Sequence, residues 1–390
     1  MGRPIYLDYA ATSAIRPDVV VEAVNDYLRG VGATPGRSGH RWAVEAARVA
    51  FQCRRALAGL FGIPGDPGRI AFQQNATHAL NTALWGTLTS GDTVVRTRYD
   101  HNAVRRPIAA LRRTGVREVV LGGQPDGAVD LDELAEAFGS GGNEVRLLVV
   151  THASNVLGSV LPLAEMSEIA HDHGALVLVD AAQTAGILPI DAVGQGIDML
   201  AFTGHKGLLG PQGIGGLWIR EGLEVSPLLR GGTGGHSELE EMPDIMPDRL
   251  EAGTQNGAGM AGLLAGVEWL LAEGVESLHS REMRLKTMLL ERLSEIAGIH
   301  IHSPPAPDGV GIVTITCAGL NAAELAHSLD LDYGILTRAG LHCAPEAHAL
   351  LGTLETGALR LSVGWATNED DIERATAGVA AVCKTRAEER

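Results

Sequence analysis

The chain has 390 residues, 45% hydrophobic, 20% charged and only 4% aromatic, which gives enough apolar side chain for more than one core and excludes a disordered chain. Its 31 Lys and Arg against 47 Asp and Glu leave a formal charge of -16, which opposes nucleic acid and anionic lipid as main ligands. Small anions are not excluded, because helix N-termini and a few cations make a pocket locally positive. Four cysteines without a C-x-x-C pair speak for a reducing compartment. The opening Met1-Gly-Arg-Pro-Ile-Tyr-Leu-Asp carries no apolar leader, and the apolar runs fall far short of the roughly 18 residues of a spanning helix. The expectation is a cytoplasmic protein that meets no membrane.

In chain order, helix-period segments at 17–29, 41–60, 77–87, 102–113, 131–138 and 164–173 alternate with aliphatic strand runs. The strands fall at 69–73, 93–96, 117–121, 145–150, 175–179, 198–202 and 214–219. This alternation predicts an α/β fold with one large, mostly parallel sheet and helices on both faces. Residues 230–256 then turn Gly-rich and acidic, and read as a long functional loop. Two long helices follow at 257–273 and 275–297, then short elements and a helix from Asn368 whose first turn carries Glu369, Asp370 and Asp371. The expected division is a large unit over 15–256 and a smaller α+β unit over 257–390 together with segment 1–14.

Nucleotide motifs fail: the sequence contains neither a Gly-x-x-x-x-Gly-Lys-Ser/Thr loop nor a G-x-G-x-x-G turn. Two strand ends stand out instead, Leu176-Val-Leu-Val-Asp180 and Met199-Leu-Ala-Phe-Thr203-Gly-His205-Lys206. Ligands of open parallel sheets sit beyond the carboxyl ends of the strands, so Asp180 and Lys206 can face each other across one pocket. Either residue alone reads as plainly as a helix cap or a solvated loop side chain; the pair points to a site.

Asp180-Ala-Ala-Gln183, then Thr203-Gly-His205-Lys206, then Gly210-Pro-Gln-Gly-Ile-Gly resembles the cofactor segment of class V, fold-type I pyridoxal-phosphate enzymes. Further matching segments run through nearly the whole chain, among them Tyr6-Leu-Asp-Tyr-Ala-Ala-Thr, Asn75-Ala-Thr-His78, Asp100-His-Asn-Ala, His152-Ala-Ser-Asn155, Glu251-Ala-Gly-Thr254 and Ala358-Leu-Arg360. Arg338-Ala-Gly-Leu-His-Cys343-Ala is similar to the cysteine desulfurase and selenocysteine lyase branch, in its group with the shorter cysteine loop.

The resemblance implies a fold-type I transferase with a seven-stranded-type sheet, a smaller C-terminal domain, and pyridoxal 5'-phosphate as cofactor. It gives the cofactor's aldehyde to Lys206, its pyridine nitrogen to Asp180 and its ring hydroxyl to Gln183. Donors to the phosphate are the N–H groups at Ala76 and Thr77, with Thr203 and His205, and Thr254 reaches in from the other subunit of a homodimer. Thr77 and Thr254 taken alone read as ordinary helix caps. His101 is implied to stack on the ring and shuttle protons, with Asn155 also near the cofactor. Asn155, Arg338 and Arg360 are implied to bind substrate, a planar guanidinium suiting a bidentate carboxylate contact.

Cys343 is the implied sulfur acceptor, with the neighbouring imidazole of His342 raising its thiolate fraction, while Cys53, Cys317 and Cys383 read as small buried hydrophobes. His342, Cys343 and His348 lack a fourth ligand and a recognised spacing, so no metal is expected. The implied reaction takes L-cysteine to L-alanine with a persulfide on Cys343 bound for an acceptor protein. L-Selenocysteine as substrate, a cysteine β-lyase, another class V reaction, and a non-catalytic scaffold with the same pocket stand as alternatives.

Overall fold

The computed structural model describes residues 3–36, 38–139, 145–305 and 309–388; the extreme ends of the expected small unit, 1–2 and 389–390, lie outside them. A short strand β1 (Ile5–Tyr6) leads into α1 (Asp18–Asp26) and α2 (Arg41–Leu60). Then β2 (Ile70–Gln73), α3 (Ala76–Thr87), β3 (Thr93–Arg96), α4 (Asn102–Leu111), β4 (Arg117–Val120), α5 (Leu131–Gly139), β5 (Val145–Thr151), α6 (Leu163–Asp172) and β6 (Leu176–Asp180) alternate as the sequence predicts. Two strands, β7 (Met199–Thr203) and β8 (Gly215–Ile219), complete a seven-stranded sheet in the order β2-β8-β7-β6-β5-β3-β4. Every residue of β6, β7 and β8 is buried, because helices cover both faces: one core holds Val177, Val179, Leu200 and Phe202, the other Leu176, Leu178, Met199 and Ala201.

β8 departs from the parallel rule, pairing antiparallel with both β2 and β7. The chain from β7 to β8 contains no helix, and only an antiparallel return dispenses with a crossover.

Beyond the 230–256 loop come α7 (Gly257–Glu273), α8 (Val275–Ser294), β9 (Ile299–Ile301), β10 (Ile312–Cys317), α9 (Ala322–Tyr333), β11 (Ile335–Leu336), β12 (Arg338–Gly340), α10 (Pro345–Leu350), β13 (Ala358–Ser362) and α11 (Glu369–Glu388). A four-stranded antiparallel sheet, β12-β13-β10-β9, packs Val313, Ile315, Leu359 and Leu361 against Leu289 and Leu293 of α8 and Ile372, Ala375 and Val379 of α11. Ile5 and Leu7 join this core, and β1 pairs with β11. Helix α7 does not: Met260, Leu263, Val267 and Leu270 lie in the core of the large sheet. We therefore propose the division between the two units near Gly274 rather than at residue 257, since a helix belongs to the core that covers its apolar face.

Cys53 and Cys383 are buried, whereas Cys317 is half-exposed and its Sγ lies 3.0 Å from that of Cys383. Among the described residues no single helix is long and apolar enough to cross a membrane.

Candidate active site

A cavity with about 880 Å³ of empty space opens at the carboxyl ends of β5, β6 and β7, where the ligands of such sheets bind. Around it stand Asp180 at the end of β6, Thr203 at the end of β7, and His205 and Lys206 in the turn that follows. Asn155 comes from the segment after β5, His101 from the cap of α4, and Arg338 and Arg360 from the small sheet. Ala76 and Thr77 open α3 at the cavity wall, capped by the Asn75 side chain, which accepts from His78 N–H. A helix's first N–H groups lack intrahelical partners and carry the positive end of its dipole. Gly215 lets this helix start come close: a Cβ there would stand 3.0 Å from Asn75 Cα and 2.5 Å from the Phe202 carbonyl oxygen.

The Lys206 segment is held from the N-terminal segment that follows β1. Ser13 Oγ donates to the Lys206 carbonyl at 2.9 Å, and Thr12 Oγ1 donates to the His205 carbonyl at 3.1 Å and lies 3.1 Å from His205 Nδ1. Burial lowers the Lys206 ammonium to a pKa of about 8, against the pull of Asp180 and with the push of Arg360 and Arg338. A lysine with that pKa is neutral in about one molecule in ten near pH 7, some hundreds of times more often than an exposed one. Burial raises Asp180, opposed by the Ala182 N–H at 2.9 Å and by Lys206.

His101 Nδ1 accepts from Ala103 N–H at 3.0 Å, and burial together with Lys206 and neighbouring arginines takes its pKa down to about 4. It is a neutral imidazole with one nitrogen committed. Gln183 spends one amide N–H on the Ala10 carbonyl at 3.1 Å and keeps the other.

Arg360 is almost wholly buried and more engaged than the sequence implies. Its Nη1 donates to the Asn155 carbonyl and its Nη2 to Asp8 Oδ1, both at 2.9 Å, leaving Nε unpartnered. A substrate carboxylate can take the free Nε together with the second N–H of Nη2, beside Asp8. Sequence reasoning missed Asp8, whose only signal is its place in the Tyr6-to-Thr12 segment. Arg338 has no ion-pair partner among the described residues.

The structure leaves two implied residues outside this cavity lining. Thr254 is exposed, and Cys343 is exposed one residue beyond His342, which does line it. His342 does not serve Cys343 as the sequence suggests. Its Nε2 lies 3.2 Å from the Arg338 carbonyl and its Nδ1 3.1 Å from His348 Nε2, and burial takes its pKa to about 3. An imidazole with both nitrogens bound and no charge does not stabilise a thiolate.

Three buried polar atoms on this cavity have no partner: Asn155 Oδ1, Thr203 Oγ1 and Arg360 Nε. Buried polar atoms are costly unless satisfied. With a lysine whose pKa is lowered to about 8, a buried carboxyl on the neighbouring strand end and an open helix N-terminus, this set suits a ligand carrying a carbonyl, a basic ring nitrogen and a phosphate, and pyridoxal phosphate combines the three.

The aminotransferase class-V family model matches residues 5–375. The chain is 34% identical over 376 residues to a probable cysteine desulfurase of Methanothermobacter thermautotrophicus, covering 95% of this chain and 92% of the relative. It superposes with a TM-score of 0.90 and 30% identity on the apo cysteine desulfurase of Thermococcus onnurineus NA1, over 98% and 95% of the two chains. A C-DES mutant with glycine covalently linked to its PLP cofactor is similar at TM-score 0.83 and 25% identity, over 97% and 96%. With Asp180 at one strand end, Lys206 in the turn after the next, and these relatives matching along nearly its whole length, the chain belongs to the class-V aminotransferases, the pyridoxal-phosphate enzymes, and within them to the cysteine desulfurase family.

Proposed function

We propose that the chain binds pyridoxal phosphate at Lys206 and moves the sulfur of L-cysteine onto Cys343, releasing L-alanine. The observation that carries this is the Lys206 amine, its pKa lowered to about 8, facing buried Asp180 across a cavity whose rim leads, through His342, to an exposed thiol. When bound, the cofactor supplies an aldehyde that condenses with amines and a ring that accepts electrons from the substrate's Cα.

The residues divide the remaining work. Ionised Asp180 holds a proton on a basic ring nitrogen, and that positive partner lowers the carboxyl that burial alone raises. Ala76 and Thr77 N–H, Thr203 and His205 hold the phosphate, and Gln183 offers its second N–H to the ring oxygen. His101 covers the ring, with Nε2 as the nitrogen left to pass a proton. Arg338, Asn155 and the free Nε of Arg360 take the substrate carboxylate. Lys206, neutral in part near pH 7, takes the Cα proton.

Cys343 as thiolate attacks the substrate sulfur. The Cβ–S bond breaks with its electron pair on carbon, which takes a proton; an S–S bond forms. Cysteine plus the thiol thus becomes alanine plus a persulfide, and an acceptor thiol, the proposed partner protein's, later removes the outer sulfur. L-Selenocysteine fits the same groups.

A homodimer is part of the proposal. Thr254 is exposed outside its own chain's cavity, and Val19, Val21 and Leu28 near α1 with Trp42, Val44 and Phe51 on α2 are exposed apolar residues that a second subunit would cover.

The test is incubation of purified holoenzyme with L-cysteine or L-selenocysteine, with and without reductant, measuring alanine and the mass of the Cys343 peptide. Alanine with one added sulfur on Cys343 is expected from cysteine. Pyruvate with an unmodified Cys343 would refute the assignment and mark a β-lyase.

A further inference from the structure

The segment that presents Cys343 is wound unusually. After Gly340 (φ 118°), His342 and Cys343 are both left-handed, with φ of 49° and 61°. Consecutive non-glycine residues in this region cost about 1–2 kcal/mol each, so surrounding contacts must hold them. Two are backbone anchors: Asn155 Nδ2 donates to the His342 carbonyl at 2.6 Å, and Asn102 N–H donates to the Cys343 carbonyl at 2.7 Å.

The third is a chain of side chains whose direction is dictated by one carbonyl. The Arg338 oxygen can only accept, so His342 Nε2, 3.2 Å away, carries the proton. His342 Nδ1 is then a lone pair, and His348 Nε2 at 3.1 Å must donate to it. His348 Nδ1 in turn accepts from the Thr353 hydroxyl at 2.8 Å. The ring planes are inclined by 25° and their centroids stand 5.3 Å apart, so the 3.1 Å contact runs close to the line of centres, as an in-plane N–H···N contact needs. All three side chains are buried, His348 completely.

The surroundings oppose a second proton on His342. Arg338 of β12 and Arg360 of β13 act on it as cations, and His348 of α10 adds to them. His302, after β9, is pushed down to about 4 by burial, with His300 and His348 adding to it. The nearby carboxylate on α10, Glu346, is taken by Arg96 and Arg105. Across the cleft His101 is also held neutral.

Resting on the reading of Cys343 as sulfur acceptor, we propose that His348, backed by Thr353, is a positioning residue for sulfur transfer: its N–H to His342 Nδ1 keeps that imidazole neutral and the 340–343 loop in its left-handed path. His342 then contributes shape and no charge beside the thiol.

Three variants of the holoenzyme test this. His348→Gln keeps an amide N–H donor, His348→Leu removes it, and His348→Glu offers an acceptor that requires a proton on His342 Nδ1, creating an imidazolium next to Cys343. Persulfide formation should fall at least tenfold in kcat in His348→Leu and be largely restored in His348→Gln, with KM for cysteine and cofactor absorbance little changed. In iodoacetamide alkylation followed on the Cys343 peptide, the rate profile of His348→Glu should lie at lower pH than that of His348→Gln, with a rate near pH 6 at least tenfold higher. Should His348→Glu fail to fold, nitrogen-15 shifts of labelled histidines in the wild-type holoenzyme must show His342 protonated at Nε2 alone. Wild-type persulfide with coincident alkylation profiles, an undiminished His348→Leu, or a His342 protonated at Nδ1 overturns this inference alone. A wild-type enzyme that never forms the persulfide overturns the desulfurase reading and this inference with it.

Discussion

Replacing Arg360 by lysine keeps the charge and removes the fork, which makes it a direct test of the substrate-binding assignment. The guanidinium spends Nη1 on the Asn155 carbonyl and Nη2 on Asp8, and leaves Nε free in the cavity. A single ammonium gathers its three donors on one atom and cannot span the separate positions of Nε, Nη1 and Nη2. Losing the contact with the substrate carboxylate removes a hydrogen bond between charged groups, about 1.5–3 kcal/mol, or about 10- to 150-fold in kcat/KM, carried mainly by KM. Losing one of the two protein contacts costs the fold a similar amount. With an unfolding entropy of about 2.1 cal/mol/K per residue over 390 residues, that lowers the melting temperature by about 2–4 °C. The assay is alanine release against cysteine concentration, beside a thermal melt of the same preparation. An unchanged KM would refute the role given to Arg360, whatever the melt shows.

Lys206→Ala should leave the melting temperature within a few degrees of wild type, yet abolish the mass increase that borohydride gives the loaded wild-type enzyme; a retained increase would move the cofactor link to another lysine. Because Lys206 titrates at about 8 and reacts as the neutral amine, the rate at which apoprotein captures pyridoxal phosphate should rise about tenfold per pH unit below that value and level off above it. A flat profile from pH 6 to 9 contradicts the shift. Cys343→Ala should keep its cofactor absorbance with cysteine present but lose the persulfide and nearly all alanine release, with a smaller loss for selenocysteine, whose leaving atom needs less assistance; unchanged cysteine turnover contradicts the acceptor role. Mixed dimers of Lys206→Ala and Thr254→Ala should regain activity that neither parent has, and hybrids that form but stay inactive would sink the shared site.

Much of this was legible because the signals were local. Strands such as Leu176–Asp180 are aliphatic runs ending on a polar residue, and the period of the hydrophobic pattern changes where a helix replaces a strand. Strand direction is not local: nothing in Gly215–Ile219 states that β8 runs against its neighbours. Nor are contacts between distant residues, and these hold what was missed: Asp8 meets Arg360, Cys317 meets Cys383, and Arg96 anchors Glu346 at the start of α10. The boundary we propose lies near Gly274 rather than at residue 257 because a change of pattern need not be a change of core, and α7 keeps its apolar face on the sheet before it. His342 was misread for a different reason: adjacency in sequence to Cys343 says nothing about where an imidazole turns when both residues are left-handed.

The cavity is shared between two sheets. Asp180 and Thr203 stand at the ends of large-sheet strands and Lys206 in the turn after one of them, while Arg338 and Arg360 ride on the small sheet. At the junction lies a modest apolar seam, Ala10, Ala153, Val310 and Ile312, with Val160, Ile187 and Leu188 beside it. The seam thus works as the spacer that sets the gap between the proton-handling and the carboxylate-binding halves. Changing a side-chain volume there, as in Ile312→Val, removes one methylene, about 0.5–1.5 kcal/mol of stability. The same change resets distances across the cleft that sub-ångström errors already penalise. The substrate range of this fold can drift through residues that never touch a substrate.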